Sequence, residues 1–323
     1  MSLRRLSLAG VLVAGLTAAA FGQEVTLKWD FQKGKPFYQE MTTTTKQTMK
    51  VMGMEVTQNQ TQKFVFSWTP IEQDKDKNWI VEQEIVAVMM DIEIGGQKIP
   101  YDSTKDTGVS GNPLSEFFKA LVGSKFKLTI TPDFKVKSIE GRKEFIDKLG
   151  KANPQMLPLL ETILSDEALK QMSDPAFAIL PPKAVKKGDT WNDKRQLDMG
   201  PIGKYDSNNK YTYEGTEGKL QKIKVDTTLT YQPPAQSAAG NLPFKIKSAN
   251  LTSKNATGTI LFDNEKHRLN NSDQKMTLEG KLTIDISGQT SDVDLTQEQT
   301  TSVKTTDTNP VPAATPPVAP KKP

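Results

Sequence analysis

The sequence predicts an α+β protein that is mainly antiparallel β, a long curved sheet or incomplete barrel with a helical insert at about residues 112–180. Three observations predict it. Polar residues alternate with β-branched or apolar ones from Val25 to Trp68 and from Trp79 to Ile94, a period of two that suits strands and not helices. Caps and apolar residues at helical spacing crowd into the middle of the chain. The alternating texture then returns at Trp191 and runs to Val303.

Taken in order, two strands near Phe37–Val51 and Met54–Trp68 are expected to meet at Gly53, and a third follows over Trp79–Ile94. Gly95 and Gly96 supply the positive φ of a tight hairpin into Gln97–Tyr101. Asn112 and Pro113 cap and start a short helix whose apolar face is Leu114, Phe117, Phe118 and Leu121, with Gly123 closing it. A hairpin of Lys125–Thr131 and Val136–Glu140 comes next. Helices are then expected near Arg142–Leu149, Gln155–Leu164 and Asp166–Met172, the last capped by Ser165. The remaining strands fall near Trp191–Leu197, Lys204–Tyr213, Lys219–Tyr231, Phe244–Leu251, Ala256–Phe262, Arg268–Gly288 and Gln297–Val303. A Pro- and Ala-rich loop around Pro233–Gly240 interrupts them. One domain over 23–303 fits strands on both sides of the helices; a division near Pro181 is the alternative.

Both ends read differently from this body. Arg4 and Arg5 precede an apolar run from Leu6 to Ala20, which ends in Ala20-Phe21-Gly22, the pattern of a cleaved signal peptide over 1–22. That run is too short to span a bilayer comfortably, so the mature chain is expected to carry no transmembrane span. Residues 304–323, with prolines at 310, 312, 316, 317, 320 and 323, are expected to be a disordered tail. The chain has no cysteine, which removes disulfides and lipid attachment through a thiol. The expectation is an exported protein, periplasmic or extracellular, without a lipid anchor.

Charge narrows the partners. Lys and Arg number 42 against 38 Asp and Glu, but once Arg4, Arg5, Lys304, Lys321, Lys322 and Asp307 are set aside the body holds 37 of each. With no basic stripe to release counterions, nucleic acid is not an expected partner.

The chemical inventory is short. His267 is the only histidine and sits in the charged turn Asp263-Asn-Glu-Lys-His267-Arg, where nothing adjacent would orient it as a base. Thiol nucleophiles and multi-histidine metal sites are unavailable, and no catalytic residue, metal site or cofactor is expected. Asp91 and Glu93 share one strand face. They alternate with Val86, Val88, Met90, Ile92 and Ile94, which places the acids on the wet side. Asp189 reads as a turn residue leading to Trp191. The methionines Met41, Met49, Met52, Met54, Met89 and Met90 read as adaptable packing.

Three stretches carry a resemblance. Leu180-Pro-Pro-Lys-Ala-Val-Lys-Lys-Gly-Asp-Thr-Trp191, Thr129-Ile-Thr-Pro-Asp-Phe-Lys-Val-Lys-Ser-Ile-Glu-Gly141 and Gly258-Thr-Ile-Leu-Phe-Asp-Asn-Glu-Lys-His-Arg-Leu-Asn-Asn-Ser272 resemble motifs of a bacterial family of exported proteins of unknown function. The resemblance implies an extracytoplasmic, β-rich protein with a helical middle, and brings no activity with it. The third stretch is also similar to the strand-turn-strand rhythm of periplasmic lipoprotein carriers, whose curved sheets hold acyl chains.

The leading expectation is therefore a non-enzymatic envelope protein, a binding or structural module. Its candidate ligand wall is Val86, Val88, Met90 and Ile92, faced by Leu114, Phe117 and Phe118, and its expected partners are a lipid or other apolar small molecule, or another envelope protein. The competing expectation is a carboxylate-based hydrolase of envelope polysaccharide, which requires two acids about 5 to 9.5 Å apart in a cleft.

Overall fold

The alternating runs become long strands. Phe37–Val51 forms β1 and Met54–Gln73 forms β2, paired in register from Phe37 opposite Trp68 to Val51 opposite Met54. The computed structural model describes residues 24–51, 53–105, 113–177, 179–234, 245–286 and 288–312. The expected signal segment, Met52, the side chain of Leu114, most of the Pro233–Gly240 loop and the tail from residue 313 lie outside the described residues.

After β3 (Trp79–Ile94), β4 (Gln97–Asp102) folds back on the C-terminal half of β3. Helix α1 (Pro113–Leu121) then leads to β5 (Lys125–Ile130), which pairs with the N-terminal half. One strand edge thus carries two partners end to end. β6 (Val136–Glu140) pairs with β5, and α2 (Arg142–Ala152), α3 (Leu157–Ile163) and α4 (Asp166–Ser173) follow. Ser165 caps α4 by accepting the Ala168 amide at 3.1 Å, as the spacing predicts.

The second half is a meander of β7 (Thr190–Asp198), β8 (Lys204–Glu217), β9 (Leu220–Gln232), β10 (Lys245–Asp263), β11 (Arg268–Ile286) and β12 (Gln289–Thr306). β12 pairs with β1, so both halves share one antiparallel sheet of twelve strands. Its order is β6-β5-β3-β2-β1-β12-β11-β10-β9-β8-β7, with β4 beside β3.

The sheet is not closed by strand pairing, since β6 and β7 are its two ends. Helix α4 bridges them. Asp174, directly after the helix, accepts the Val136 amide of β6 at 2.7 Å, and Gln171 accepts the Asp198 amide of β7 at 3.0 Å.

Helices and the segment before β1 cover one face, called here the inner face. Trp29, Phe31, Phe37, Trp68, Phe177 and Phe262 form its aromatic centre, continuous with Val88, Leu128, Ile223 and Ile260. Each such side chain, fully buried, contributes roughly 1.5–3 kcal/mol.

Several boundaries differ from the sequence expectation: β2 runs on to Gln73, β8 to Glu217 and α2 to Ala152, and three further differences lie in β10 and β12. The two strands expected at Phe244–Leu251 and Ala256–Phe262 are, over the described residues from Lys245, the single strand β10, because an irregularity between Lys254 and Thr257, with Asn255 at φ 52°, absorbs the break without ending the pairing; Phe244 lies outside the described residues. β12 begins at Gln289 instead of Gln297, since Gln289–Thr296 continue the register with β11. It also runs past Val303, because Lys304, Thr305 and Thr306 pair with Glu40, Gln39 and Tyr38.

Candidate functional site

The inner face changes character along its length. On β12 the inward residues Ser291, Val293 and Leu295 are buried, Gln297, Gln299, Thr301 and Val303 are half-buried, and Thr305 is buried again. Water therefore reaches the middle of the face while both ends are packed. The far end is sealed by Tyr231, Leu251, Leu278 and Leu295, with Met49 against them.

The middle is a grid of nine neutral polar side chains on three neighbouring strands, Thr43 buried and the other eight half-buried. Gln62, Gln60 and Gln58 of β2 lie opposite Thr43, Thr45 and Gln47 of β1, which lie opposite Thr301, Gln299 and Gln297 of β12. Strands about 4.8 Å apart and same-face residues about 6.8 Å apart give a surface of roughly 10 by 14 Å. Gln58 donates to Gln60 at 3.1 Å and Gln60 to Gln62 at 3.2 Å; Gln297 donates to Gln299 at 3.2 Å. The Thr43 and Thr301 hydroxyls are 3.2 Å apart. These bonds hold the amides in rows along the strands and use only part of their capacity, since each amide has two donor hydrogens and an acceptor oxygen.

Apolar residues border the grid. Met90, Ile92 and Ile94 of β3 stand opposite Gln62, Gln60 and Gln58, and Met276 and Leu278 of β11 stand opposite Gln299 and Gln297. Gln274 beside Thr301 is exposed, and a cavity of about 80 Å³ lies between Gln274, Met276, Gln299, Thr301, Val225 and Thr227. The inward positions of β3 and β11 that flank the grid are uncharged. The polar belt resumes further across the sheet: Thr227 donates to Asn209 at 2.7 Å, and Asn209 lies opposite Asp193, which is paired with Arg195 on the end strand.

The residues expected to form an apolar wall are distributed as follows. Val88, Met90 and Ile92 are buried on the inner face in one core cluster with Phe118, and Phe117 packs against that cluster; Phe118 lies 5.6 Å from the Tyr101 ring. Val86 does not stand with them. The register steps from Val65–Ala87 to Phe66–Ile85, so Val86 is the extra residue of a β-bulge and the alternation changes phase there. Nothing is described of the Leu114 side chain.

Among the residues weighed for chemistry, Asp91 is exposed opposite Thr61 and Pro100, on the face away from Met90 and Ile92. Asp189 accepts the Lys186 amide at 3.0 Å and shapes the turn before Trp191, whose ring stacks on Tyr211 at 5.4 Å. His267 is exposed at φ 52°, and its carbonyl accepts the Asp30 amide at 3.1 Å. Among the described residues no group of three or more His, Asp or Glu side chains converges as a metal site. No described helix is long and apolar enough to cross a membrane.

Sequence reasoning missed the grid. The signal was present as Gln-x-Gln-x-Gln at 58–62 and Gln-x-Gln-x-Thr at 297–301, a period of two in amides and hydroxyls. What was not visible is that these rows adjoin.

Fold and site together define a class: an open antiparallel sheet, seamed by a helix, whose inner face carries a neutral polar window between two packed clusters. Within that class the chain belongs to DUF6263, a family of unknown function, whose model matches residues 76–309. No curated protein sequence matches the chain. Among solved structures it is similar to Pseudomonas aeruginosa OccK5 (OpdH) at 5% identity and TM-score 0.21, over 84% of this chain and 98% of that one. It is also similar to Pseudomonas putida OprB at low pH, at 8% identity and TM-score 0.20, over 83% and 93% of the two chains. DynF from the dynemicin biosynthesis pathway of Micromonospora chersina aligns at 9% identity and TM-score 0.17, over 87% and 85%. Likenesses at these scores carry no argument about fold or function.

Proposed function

We propose that this protein is an exported, non-enzymatic binding module of the bacterial envelope that holds its ligand on the inner face of the sheet. The observation that carries this reading is the water-accessible window along β12, half-buried at Gln297, Gln299 and Thr301 between packed ends. Export is supported by the charged, apolar and small-residue succession of residues 1–22. In this reading Val88, Met90, Ile92, Phe117 and Phe118 frame the window and brace the fold, because their surfaces are already spent on one another.

Hydrolysis by paired carboxylates has weaker support: Asp91 faces away from the window and Asp189 is engaged in its turn.

Native mass spectrometry of the full chain purified from the cells that export it tests the proposal. The expected result is a non-covalent small-molecule adduct that the variant Gln299→Trp loses, since an indole there fills the window. A bare mass for the wild type, with inner-face amide exchange unaltered by envelope extract, would sink the binding reading.

A further inference from the structure

We infer that the ligand of the inner face is a neutral oligosaccharide, held by the glutamine and threonine grid. This rests on the binding reading above and adds to it the chemistry of the ligand.

The grid excludes three classes of ligand. Nine inward side chains at 43, 45, 47, 58, 60, 62, 297, 299 and 301 are amides or hydroxyls, and the rows flanking them on β3 and β11 are uncharged. A charged ligand placed there would lose water without gaining a counter-charge. An acyl chain would strip water from amide and hydroxyl groups and give them no new partner. A peptide pairing through its main chain needs a strand edge, and the grid lies on the face of central strands.

What remains is a ligand whose hydrogen-bonding groups are numerous, neutral and both donating and accepting. Sugar hydroxyls have that character, and glutamine amides meet them with donors and an acceptor on one group. The borders agree, because exposed Ile94 beside Gln58 and half-buried Met276 beside Gln299 give aliphatic surface for the C–H faces of the rings. Thr227, Asn209 and the Asp193–Arg195 pair extend the polar path beyond the grid, so the site suits a short chain and not a single sugar.

The rows are also held in place before any ligand arrives. The bonds Gln58 to Gln60 to Gln62 and Gln297 to Gln299 restrict long side chains that would otherwise lose freedom on binding.

The test titrates the full mature chain with cellohexaose, chitohexaose, hexagalacturonate and palmitate, following glutamine side-chain amide resonances by NMR and affinity by calorimetry. The inference expects at least one of the two neutral hexasaccharides to shift the amides of Gln60 and Gln299 and to bind more tightly than its disaccharide; which one separates a plain glucan from an N-acetylated glycan. Gln60→Leu and Gln299→Leu should each weaken binding by about tenfold, with the thermal midpoint near that of the wild type. The wild-type NMR titration stands even where a variant folds poorly. If palmitate or hexagalacturonate shifts these resonances and neither neutral sugar does, the ligand chemistry is wrong and the binding reading survives. If neither neutral sugar shifts them and native mass spectrometry finds no adduct, both fail.

Discussion

Gln171 accepts the backbone amide of Asp198 at 3.0 Å, so one residue of α4 fastens the last strand of the sheet. Three residues on, Asp174 does the same for Val136 of β6 at the opposite end of the sheet. A single short helix therefore spans the seam that strand pairing leaves open, and it can do so because its C-terminal turn presents acceptors to both edges. Replacing Gln171 or Asp174 by Ala is expected to cost about 1–3 kcal/mol each, because a strand-edge amide loses its partner. Hydrogen exchange at Val136 and Asp198 should accelerate in the respective variants, while exchange in the central strands β1 and β12 stays slow.

The segment before β1 closes the same end of the molecule. Trp29 is 1% exposed, its indole N–H donates to the Phe177 carbonyl at 3.0 Å, and its ring meets Phe177 edge-on at 5.4 Å. Trp29→Ala should lower stability by about 3–5 kcal/mol, measured by urea unfolding. Trp29→Phe keeps much of the apolar volume but removes the indole bond, leaving the Phe177 carbonyl with the Ile179 amide alone, and should fall between Ala and wild type.

At the far end, Gly280 lies between Leu295 on β12 and Leu251 on β10 in the cross-strand register, with φ at 148°. A Cβ there would collide with the Asn250 carbonyl oxygen, and the absent side chain is what lets Leu295, Leu278, Leu251 and Tyr231 close over it. Gly280→Ala should cost about 1–3 kcal/mol through overpacking. In the urea series the midpoint falls, and exchange at Leu251 and Leu295 rises more than at Ile223 and Ile260.

Tyr231 gives the fold an alkaline limit. Burial, with Tyr205 alongside, pushes its phenol up to about 12, and the hydroxyl donates to the Ile202 carbonyl at 2.5 Å. In the unfolded chain a tyrosine titrates near pH 10. The folded state thus holds a proton that the unfolded state releases, so the contribution is whole below about pH 10 and is lost as pH rises toward the folded value. Urea midpoints taken between pH 8 and 11 should fall steeply for the wild type and less steeply for Tyr231→Phe, which starts lower at neutral pH.

Much of the fold was legible in the chain, and the reasons are local. Phe37–Val51, Trp79–Ile94 and Val136–Glu140 form strands with the predicted bounds because the period of two, the Gly turns and the helix caps act between near neighbours. Val86 shows where that reading stops. Its place in the series Val86, Val88, Met90, Ile92 is regular in sequence, and the break in phase comes from β2, whose Val65 faces the bulge from another strand. The acids on β3 and the turn at Asp189 were read from spacing alone; the grid was not, because no one of its rows is unusual by itself.

The sequence by itself determined the strands, the helical middle, the neutral body and the lack of thiol chemistry, since each is a matter of composition or short-range period. Only the tertiary structure decided that β1 lies between β2 and β12, that α4 joins the two ends of the sheet, and that glutamines at 58–62 and 297–299 share one face with Thr43 and Thr45. The physical reason is register. A slip of one residue between β1 and β12, partners some 250 positions apart in the chain, would turn the polar window outward and expose the apolar rows beside it. The buried rows at both ends of the face, and no local signal, hold that register.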